Sequence, residues 1–325
     1  MNKKIKIAFL APETKGGPYY LYKDIVDFFE RNYNEEIEVY FFNSRFDWLR
    51  LHFKHYDVVC SVIPFLFKPI GVEKYIYNPR GNFDIEKKKN KLGNKLLYLA
   101  RNNLEFADRV WLNSYFLADK LNFKKLYDQK ICIIPDFITI DGKSKIRKNP
   151  HGGDEIKILT VSSTKFLEKA LGTVDLKKQL SKVTDSNITW TIIAGGNKEN
   201  FEKVKDQFDA ITLPNNLKIE WIDWVGKDIL KDYYKESDIF LYGTRLDTWG
   251  GVIMEAMSYG LPVILLEYEL WKYIYPKKII TNNIINKISD IEKNYKEYSE
   301  LSLDFIGSFD RNEVCENIRK QLIKR

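Results

Sequence analysis

The sequence has few of the residues that build redox and metal sites: three cysteines, three histidines and three methionines in 325 residues. Cys60, Cys132 and Cys315 show no paired spacing, which argues against a disulfide framework or a zinc site. No run approaches the roughly 18 consecutive apolar residues of a membrane span. The start, MNKKIKIAFLAPE, is basic and then apolar. Its apolar part is too short for a signal peptide, no small-residue cleavage site follows, and Glu13 and Lys15 come early. It reads as a first strand, and the protein as cytoplasmic. No aromatic platform is interleaved with the lysines and no nucleic-acid motif is present, so nucleic acid is not an expected partner.

What is present suits a soluble globular protein: 30 % charged and 44 % hydrophobic residues. The length leaves room for two ordinary domains, each with its own core. Charge is uneven. Residues 1–150 carry 27 Lys and Arg against 18 Asp and Glu, a net of +9, which leaves 25 against 27, a net of −2, for the rest. The basic half contains a dense run, Glu86-Lys87-Lys88-Lys89-Asn90-Lys91, with Lys95 beyond it. Such a run is a solvated face or a surface that meets anionic lipid or a phosphorylated acceptor. The second reading implies a peripheral contact at the inner face of a membrane.

Along the chain, strand and helix signals alternate. Ile5 to Ala11 is an apolar strand, the Gly-rich turn Pro12 to Pro18 follows, and Pro18 suits a first helical position before Tyr19 to Phe29. Strands are expected at Ile37 to Asn43, Asp57 to Val62, Tyr75 to Tyr77, Arg109 to Leu112 and Ile131 to Ile134. A helix spans Asn94 to Phe106, and Ser114 caps another that runs towards Leu121. Asp141 to Glu155, DGKSKIRKNPHGGDE, is polar with Gly and Pro and reads as a linker. The alternation then restarts with strands at Ile156 to Val161, Ile188 to Ala194, Leu217 to Ile222 and Ile239 to Tyr242, and helices around 171–182 and 227–235. Phe309 to Leu322 reads as a final helix. This α/β pattern predicts two doubly wound, Rossmann-like domains in series, facing a cleft. Ligands in such folds lie beyond the carboxyl ends of strands, near helix N-termini.

The richest stretch is Leu241 to Leu265, LYGTRLDTWGGVIMEAMSYGLPVIL. Gly250-Gly251 reads as the loop that opens a helix over about 251–259, and Gly260-Leu261-Pro262 as its stop before a buried strand, Pro262 to Leu266. That helix is apolar almost all round, so the carboxylate of Glu255 is costly there unless something pairs with it. Capping a backbone amide is the plain explanation; a waiting polar ligand is the sharper one.

Together these motifs resemble a GT-B-fold glycosyltransferase of family 4, a retaining, nucleotide-sugar-dependent group (the group 1 glycosyltransferases). The likeness rests on Gly16-Gly17 after the first strand, on Ala107-Asp108-Arg109-Val110 with Asn113-Ser114, and on Lys130 to Pro135. It continues through Ile158 to Ala170, the acidic pair Asp247 and Glu255 with seven residues between, EAMSYGLPVI, and Phe309-Asp310 with the final helix. The resemblance implies an acceptor domain over 1–148, with the helix at about 309–325 packing back on it, and a donor domain over 149–308. It also implies roles. Glu255 would hold the ribose hydroxyls, Asp247 would touch the donor sugar, and Trp249, Gly250, Gly251 and Val252 would meet sugar and phosphate. Lys169 would neutralise the leaving diphosphate, Gly16 and Gly17 would let backbone approach the phosphate, and Ser163, Lys165 and Trp224 would complete the nucleotide site. Arg80 is the remaining catalytic candidate. The implied donor is a UDP- or GDP-sugar, the acceptor a glycan or lipid-linked hydroxyl, and neither a metal nor a further cofactor is expected.

This chain departs from the family pattern in places. Asp247 stands where Glu is usual, and Ser162-Ser163 replaces a Gly-Arg, leaving Lys165 or Arg245 to substitute. Arg80-Gly81 stands near a common His-Gly, and arginine cannot act as a base near neutral pH. Glu267-Tyr268-Glu269 replaces a Gly-Gly loop, and His52, His55 and His151 match nothing. Two alternatives remain: a weak or inactive relative that binds a nucleotide or glycan, which the missing arginine and histidine support, or a nucleotide-sugar epimerase, for which no His-rich pocket is present in the sequence.

Overall fold

The structure, a computed structural model, describes residues 3–13, 17–44, 47–80, 91–120, 128–138, 145–147, 155–183 and 186–323. Gly16, Gly81, the run Glu86 to Asn90, His151 and most of the linker lie outside them, as do the side chains of His52, Lys91 and Lys95. The chain divides into two compact units, Met1–Phe137 with Arg311–Arg325, and Ile138–Asp310.

In the first unit β1 (Ile5–Leu10), α1 (Gly17–Asn32), β2 (Ile37–Phe42), α2 (Asp47–Phe53), β3 (Tyr56–Ser61), β4 (Val72–Tyr77), α3 (Lys91–Phe106), β5 (Arg109–Leu112), α4 (Tyr115–Lys120) and β6 (Ile131–Ile133) follow in order. The strands form one sheet in the order β2-β1-β3-β4-β5-β6, every pair parallel. A parallel strand covered on both faces reads as a continuous apolar run, and β1 is one. Ile7 and Phe9 join a cluster with Tyr22, Ile25 and Phe29, whereas Ala8 and Leu10 join another with Leu51, Tyr75 and Leu104. The last helix, Arg311–Ile323, enters the first cluster through Val314, Ile318 and Leu322, one stripe at helical spacing. Lys74 donates to the carbonyls of Gln321 and Leu322 at 2.8 and 3.3 Å, which satisfies its final turn.

One element is added to those expected and one local expectation changes. Residues 47–53, between the expected strands, form α2; its N-terminal Asp47 accepts from the amides of Asn43 and Ser44 at 3.2 and 3.0 Å. Ser114 does not cap α4: its hydroxyl is buried and has no hydrogen-bond partner among the described residues.

In the second unit β7 (Glu155–Ser163), α5 (Leu167–Leu180), β8 (Asn187–Gly195), α6 (Lys198–Asp209), β9 (Leu217–Ile222), α7 (Lys227–Glu236), β10 (Ile239–Tyr242), α8 (Gly251–Ser258), β11 (Val263–Leu266), α9 (Trp271–Ile274), β12 (Ile280–Thr281), α10 (Ile284–Lys293) and α11 (Tyr295–Gly307) follow. Its sheet order is β12-β11-β10-β7-β8-β9, again all parallel. The chain winds outward from β7 in one direction and from β10 in the other. The carboxyl ends of these two neighbours therefore form the switch point at which such sheets bind ligands. Inside the sheet the Trp190 indole donates to Thr160 at 2.9 Å, and the Thr160 hydroxyl donates to the carbonyl of Leu241 at 2.6 Å. This satisfied chain fixes β8, β7 and β10 side by side. No helix among the described residues is long and apolar enough to cross a membrane.

One arginine from the expected linker holds several helix ends together. Arg147 donates from Nε to the carbonyl of Tyr259 at 3.0 Å, from Nη1 to Ser237 at 2.6 Å and from Nη2 to Tyr234 at 2.5 Å. Its own amide donates to Ser299 Oγ at 2.8 Å. The final carbonyls of a helix have no partner within it, and a guanidinium presents donors in a planar fork that one cation of another shape cannot reproduce. Arg147→Ala should lower the stability of the chain by about 3 kcal/mol, given 1.5–3 kcal/mol for a hydrogen bond to a charged group and incomplete additivity. Arg147→Lys should recover only part of that. Equal denaturation midpoints for Arg147→Lys and the parent would contradict the fork.

Candidate functional site

The loop after β10 is held against α5 at several points. Gly172 and Gly243 meet so closely that a Cβ on Gly172 would lie 2.1 Å from the Gly243 carbonyl oxygen, so both positions exclude a side chain. The amide of Arg245 donates to the carbonyl of Glu168 at 3.2 Å, and the Arg245 guanidinium grips Asp175 with two 2.7 Å bonds. Arg245, a candidate for the missing phosphate-binding arginine, is thus paired with an acidic residue of α5.

Asp247 completes the clamp. Its Oδ1 accepts from the amides of Thr248, Trp249 and Gly250 at 2.8, 3.3 and 3.2 Å. Its Oδ2 accepts from the Tyr242 hydroxyl at 2.9 Å and pairs with Lys169 Nζ at 2.8 Å. Burial alone would raise this carboxyl's pKa, but the Lys169 charge and these hydrogen bonds outweigh it and hold the group below the usual aspartate value. Lys169 sits in the first turn of α5, where the helix dipole disfavours a cation, so Asp247 relieves that residue too.

The backbone then turns through Gly250, whose φ of +80° suits glycine, and α8 begins with no side-chain cap. Beside Gly251 there is open space. The Tyr275 hydroxyl donates to the carbonyls of Trp249 and Gly250 at 2.9 and 3.2 Å and fixes the loop from below. Trp249 is buried against Phe309, its indole nitrogen without a hydrogen-bond partner among the described residues.

Glu255 differs from Asp247. Its side chain keeps 29 % of its surface exposed and lies 3.8 Å from Lys227 Nζ. The Tyr234 hydroxyl donates to it at 3.2 Å. Burial raises its pKa above the ordinary glutamate value, with Lys227 and Tyr234 partly opposing. The surround, expected to be apolar almost all round, thus leaves Glu255 partly exposed beside one lysine and one tyrosine.

Ser163 and Lys165 leave β7 beside the loop after β8: the amide of Thr164 donates to the Gly195 carbonyl at 2.9 Å. Trp224 packs its Cβ against Gly195 and leaves most of its ring exposed. Next to these residues is a recess of about 580 Å³ lined by Thr164, Gly196, Asn197, Phe201, Trp221 and Asp223. Within the second unit, then, Asp247, Lys169, Trp249, Gly250, Gly251, Val252 and Glu255 gather around the β10 loop and α8. Ser163, Lys165 and Trp224 gather at the ends of β7, β8 and β9. Gly17 and Arg80 belong to the first unit. There Arg80, just past β4, pairs through Nη1 with both oxygens of Asp136 at 2.5 and 2.6 Å. Sequence reading did not single out Asp136, Tyr242, Tyr234 or Arg147; each acts through a partner that no local spacing signals.

One group among the described residues has metal-ligand proximity. His55, Asp57 and Glu73 lie with ligand atoms within 4.8 Å of one another, at the amino ends of β3 and β4. This is the opposite end of the sheet from Arg80.

Two Rossmann-like units, each a six-stranded parallel sheet flanked by helices, define the GT-B fold. The chain superposes on Anabaena Alr3699/HepE in complex with UDP and glucose with a TM-score of 0.71, at 14 % identity over 98 % of this chain and 99 % of that one. The lipopolysaccharide outer core galactosyltransferase WaaB gives 0.68 at 16 % identity over 97 % and 98 %, and a glycosyltransferase from Rickettsia africae 0.67 at 15 % over the full length of both. Residues 142–302 match the family described as glycosyl transferases group 1. An uncharacterized 41.2 kDa protein in the cps region of Klebsiella pneumoniae is 27 % identical over 233 residues, which is 68 % of this chain but 60 % of that protein. The chain thus spans less than two thirds of that relative's length.

Asp247→Asn should remove the partner of Lys169 and destabilise the chain by about 2–3 kcal/mol, below the 3–5 kcal/mol of a fully buried pair because Lys169 is partly exposed. The folded pKa of Asp247 is depressed, so its contribution is present above the unfolded value of about 3.9 and fades as pH falls through the folded one. Thermal melts should therefore show the full difference between parent and variant at pH 7 and a shrinking one below about pH 4. A difference that is constant down to pH 3 would be inconsistent with this pairing.

Proposed function

We propose that the protein transfers a glycosyl group from a UDP- or GDP-sugar to a hydroxyl of a glycan or lipid-linked acceptor, with retention at the anomeric carbon and without a metal. The carrying observation is the pairing of a preformed, uncapped α8 N-terminus with the half-exposed carboxylate of Glu255 one turn on. Free N–H groups at a helix N-terminus suit a diphosphate, and a carboxylate suits a vicinal diol. Glu255 would accept from both ribose hydroxyls, the first turn of α8 and Lys169 would meet the diphosphate, and the recess beside Trp224 would take the base. The bond between the anomeric carbon and the diphosphate oxygen breaks, a bond to the acceptor oxygen forms on the same face, and the acceptor proton leaves. Charge grows on the leaving phosphate, where preorganised N–H groups and a cation stabilise it most. Complexes of Anabaena Alr3699/HepE with UDP and UDP-glucose agree with a nucleotide-sugar donor for this fold. The basic first half fits a peripheral contact with an anionic membrane face on the cytoplasmic side.

A second reading has one specific observation in its favour. Both oxygens of Asp247 are already occupied, and Lys169 is paired with one of them. A chain that binds a nucleotide without turning it over would look the same.

Calorimetry with UDP and GDP, followed by transfer and hydrolysis assays on a panel of donor sugars, separates the two. Transfer should be seen, and should persist in excess chelator. Glu255→Ala should weaken nucleotide binding at least about tenfold, the equivalent of one charge-assisted hydrogen bond. Lys169→Ala should lower kcat more than affinity. Unchanged affinity in Glu255→Ala would refute the ribose assignment, strict dependence on a divalent ion the metal-free chemistry, and binding without turnover on every donor the transfer itself.

A further inference from the structure

The first unit gathers unpaired polar groups at one place. Among the described residues ten buried side-chain polar atoms have no hydrogen-bond partner, and six of them belong to Asn78, Arg80, Asn113 and Ser114. These are Asn78 Oδ1, Arg80 Nε and Nη2, both amide atoms of Asn113, and Ser114 Oγ. Buried polar groups are ordinarily hydrogen-bonded, and a concentration of exceptions marks a missing ligand or water.

The topology brings these residues together. β4, β5 and β6 are consecutive in the sheet, and the residues in question follow their carboxyl ends. With Tyr77 opposite Val110, Arg80 leaves β4 level with Asn113 leaving β5. The Arg80–Asp136 ion pair joins the end of β4 to the end of β6 and so spans the end of β5 between them. The Asn78 amide donates to the Tyr22 hydroxyl at 3.2 Å, and that hydroxyl lies within electrostatic range of both Arg80 and Asp136. Asn78, Asn113 and Ser114 are 0, 3 and 4 % exposed, and the Arg80 side chain 10 %.

The chemistry of the unpaired atoms selects the ligand. Arg80 uses Nη1 for Asp136 and keeps the Nε–Nη2 edge, two parallel donors that grip a pair of neighbouring oxygens. An anion would satisfy that edge. It would leave the amide oxygens of Asn78 and Asn113 unmatched and would face the Asp136 carboxylate. A cation would meet the acceptors and face Arg80. Since Asn113 has both amide atoms free, exchange of its oxygen and nitrogen does not alter the balance. A hydroxyl donates and accepts at once, and the ion pair already neutralises Arg80.

We propose that Asn78, Arg80, Asn113 and Ser114 form a binding site for adjacent hydroxyls of an uncharged sugar ring, and that this ring is the acceptor unit. The assignment as acceptor rests on the glycosyl-transfer reading; the choice of a neutral sugar rests on the donor and acceptor balance alone. It assigns the acceptor to a buried polar site that favours a neutral ring, whereas the basic run in the sequence suggests an anionic acceptor.

Saturation-transfer NMR on the full chain, with glucose, galactose, mannose and N-acetylglucosamine against glucuronate and glucose 1-phosphate, tests this. At least one neutral sugar should bind, and the two anionic sugars should bind more weakly. Asn113→Leu should weaken that binding by roughly tenfold or more, because it removes both a donor and an acceptor. Its melting temperature should stay level or rise, because a buried polar group without partners is replaced by an apolar one of like size. Arg80→Lys, which keeps the charge for Asp136 and loses the fork, should also weaken binding. A variant that melts well below the parent would assign Asn113 to the fold through trapped water and overturn the proposal. So would preferential binding of an anionic sugar, or no neutral sugar binding while UDP or GDP still binds. Neutral-sugar binding in a chain that binds neither nucleotide would instead overturn the transfer reading and leave this site standing.

Discussion

The second unit depends on a single carboxylate. Asp247 is buried, and an isolated charge in that position would carry a penalty large enough to neutralise it. Three backbone amides, a tyrosine hydroxyl and a lysine prevent that. Lys169 is itself misplaced as a cation at a helix N-terminus, so the two residues relieve one another. The geometry that results fixes more than the pair. It binds the loop to α5, turns the chain through Gly250, and leaves the first N–H groups of α8 without a side-chain cap.

That arrangement separates the two acidic residues by function. Asp247 has both oxygens engaged within the chain, so its contribution lies in shaping the loop and holding Lys169. Glu255, a helical turn and more away, has one tyrosine, one distant lysine and an open side. Equal spacing and equal charge in the sequence therefore conceal unequal availability. A carboxylate saturated with donors is rigid and electrostatically quiet; one held above its ordinary pKa by burial gains from any hydroxyl that comes to it.

Much of the architecture was legible because it rests on pattern. Apolar runs such as Ile5 to Leu10 and Ile239 to Tyr242 are strands because both faces are covered, and Gly260, with proline two residues on, ended a helix as expected. Asp247 and Glu255 were legible through their spacing and their neighbours. What pattern did not carry was pairing at distance. Arg80 finds Asp136 across 56 residues, and Arg147 reaches carbonyls of Tyr234, Ser237 and Tyr259 from a segment whose composition reads as linker. Ser114 was misread for the converse reason. Serine before a helix ordinarily caps it, but here the hydroxyl has no partner among the described residues.

The unpaired set in the first unit and the saturated set in the second obey the same accounting. A folded chain minimises buried polar groups without partners, so where it keeps several the cost persists only because something else offsets it. Around Asp247 both carboxylate oxygens are used, and the groups available to a ligand are backbone amides and one partly exposed acid, which suit an anion and a diol. Around Arg80 the leftover groups are mixed donors and acceptors beside a neutral ion pair, which suit hydroxyls and nothing charged. The two parallel sheets share a topology, yet the polar atoms at their carboxyl ends differ in which have been used. That difference, rather than the fold, sets what each unit can recognise.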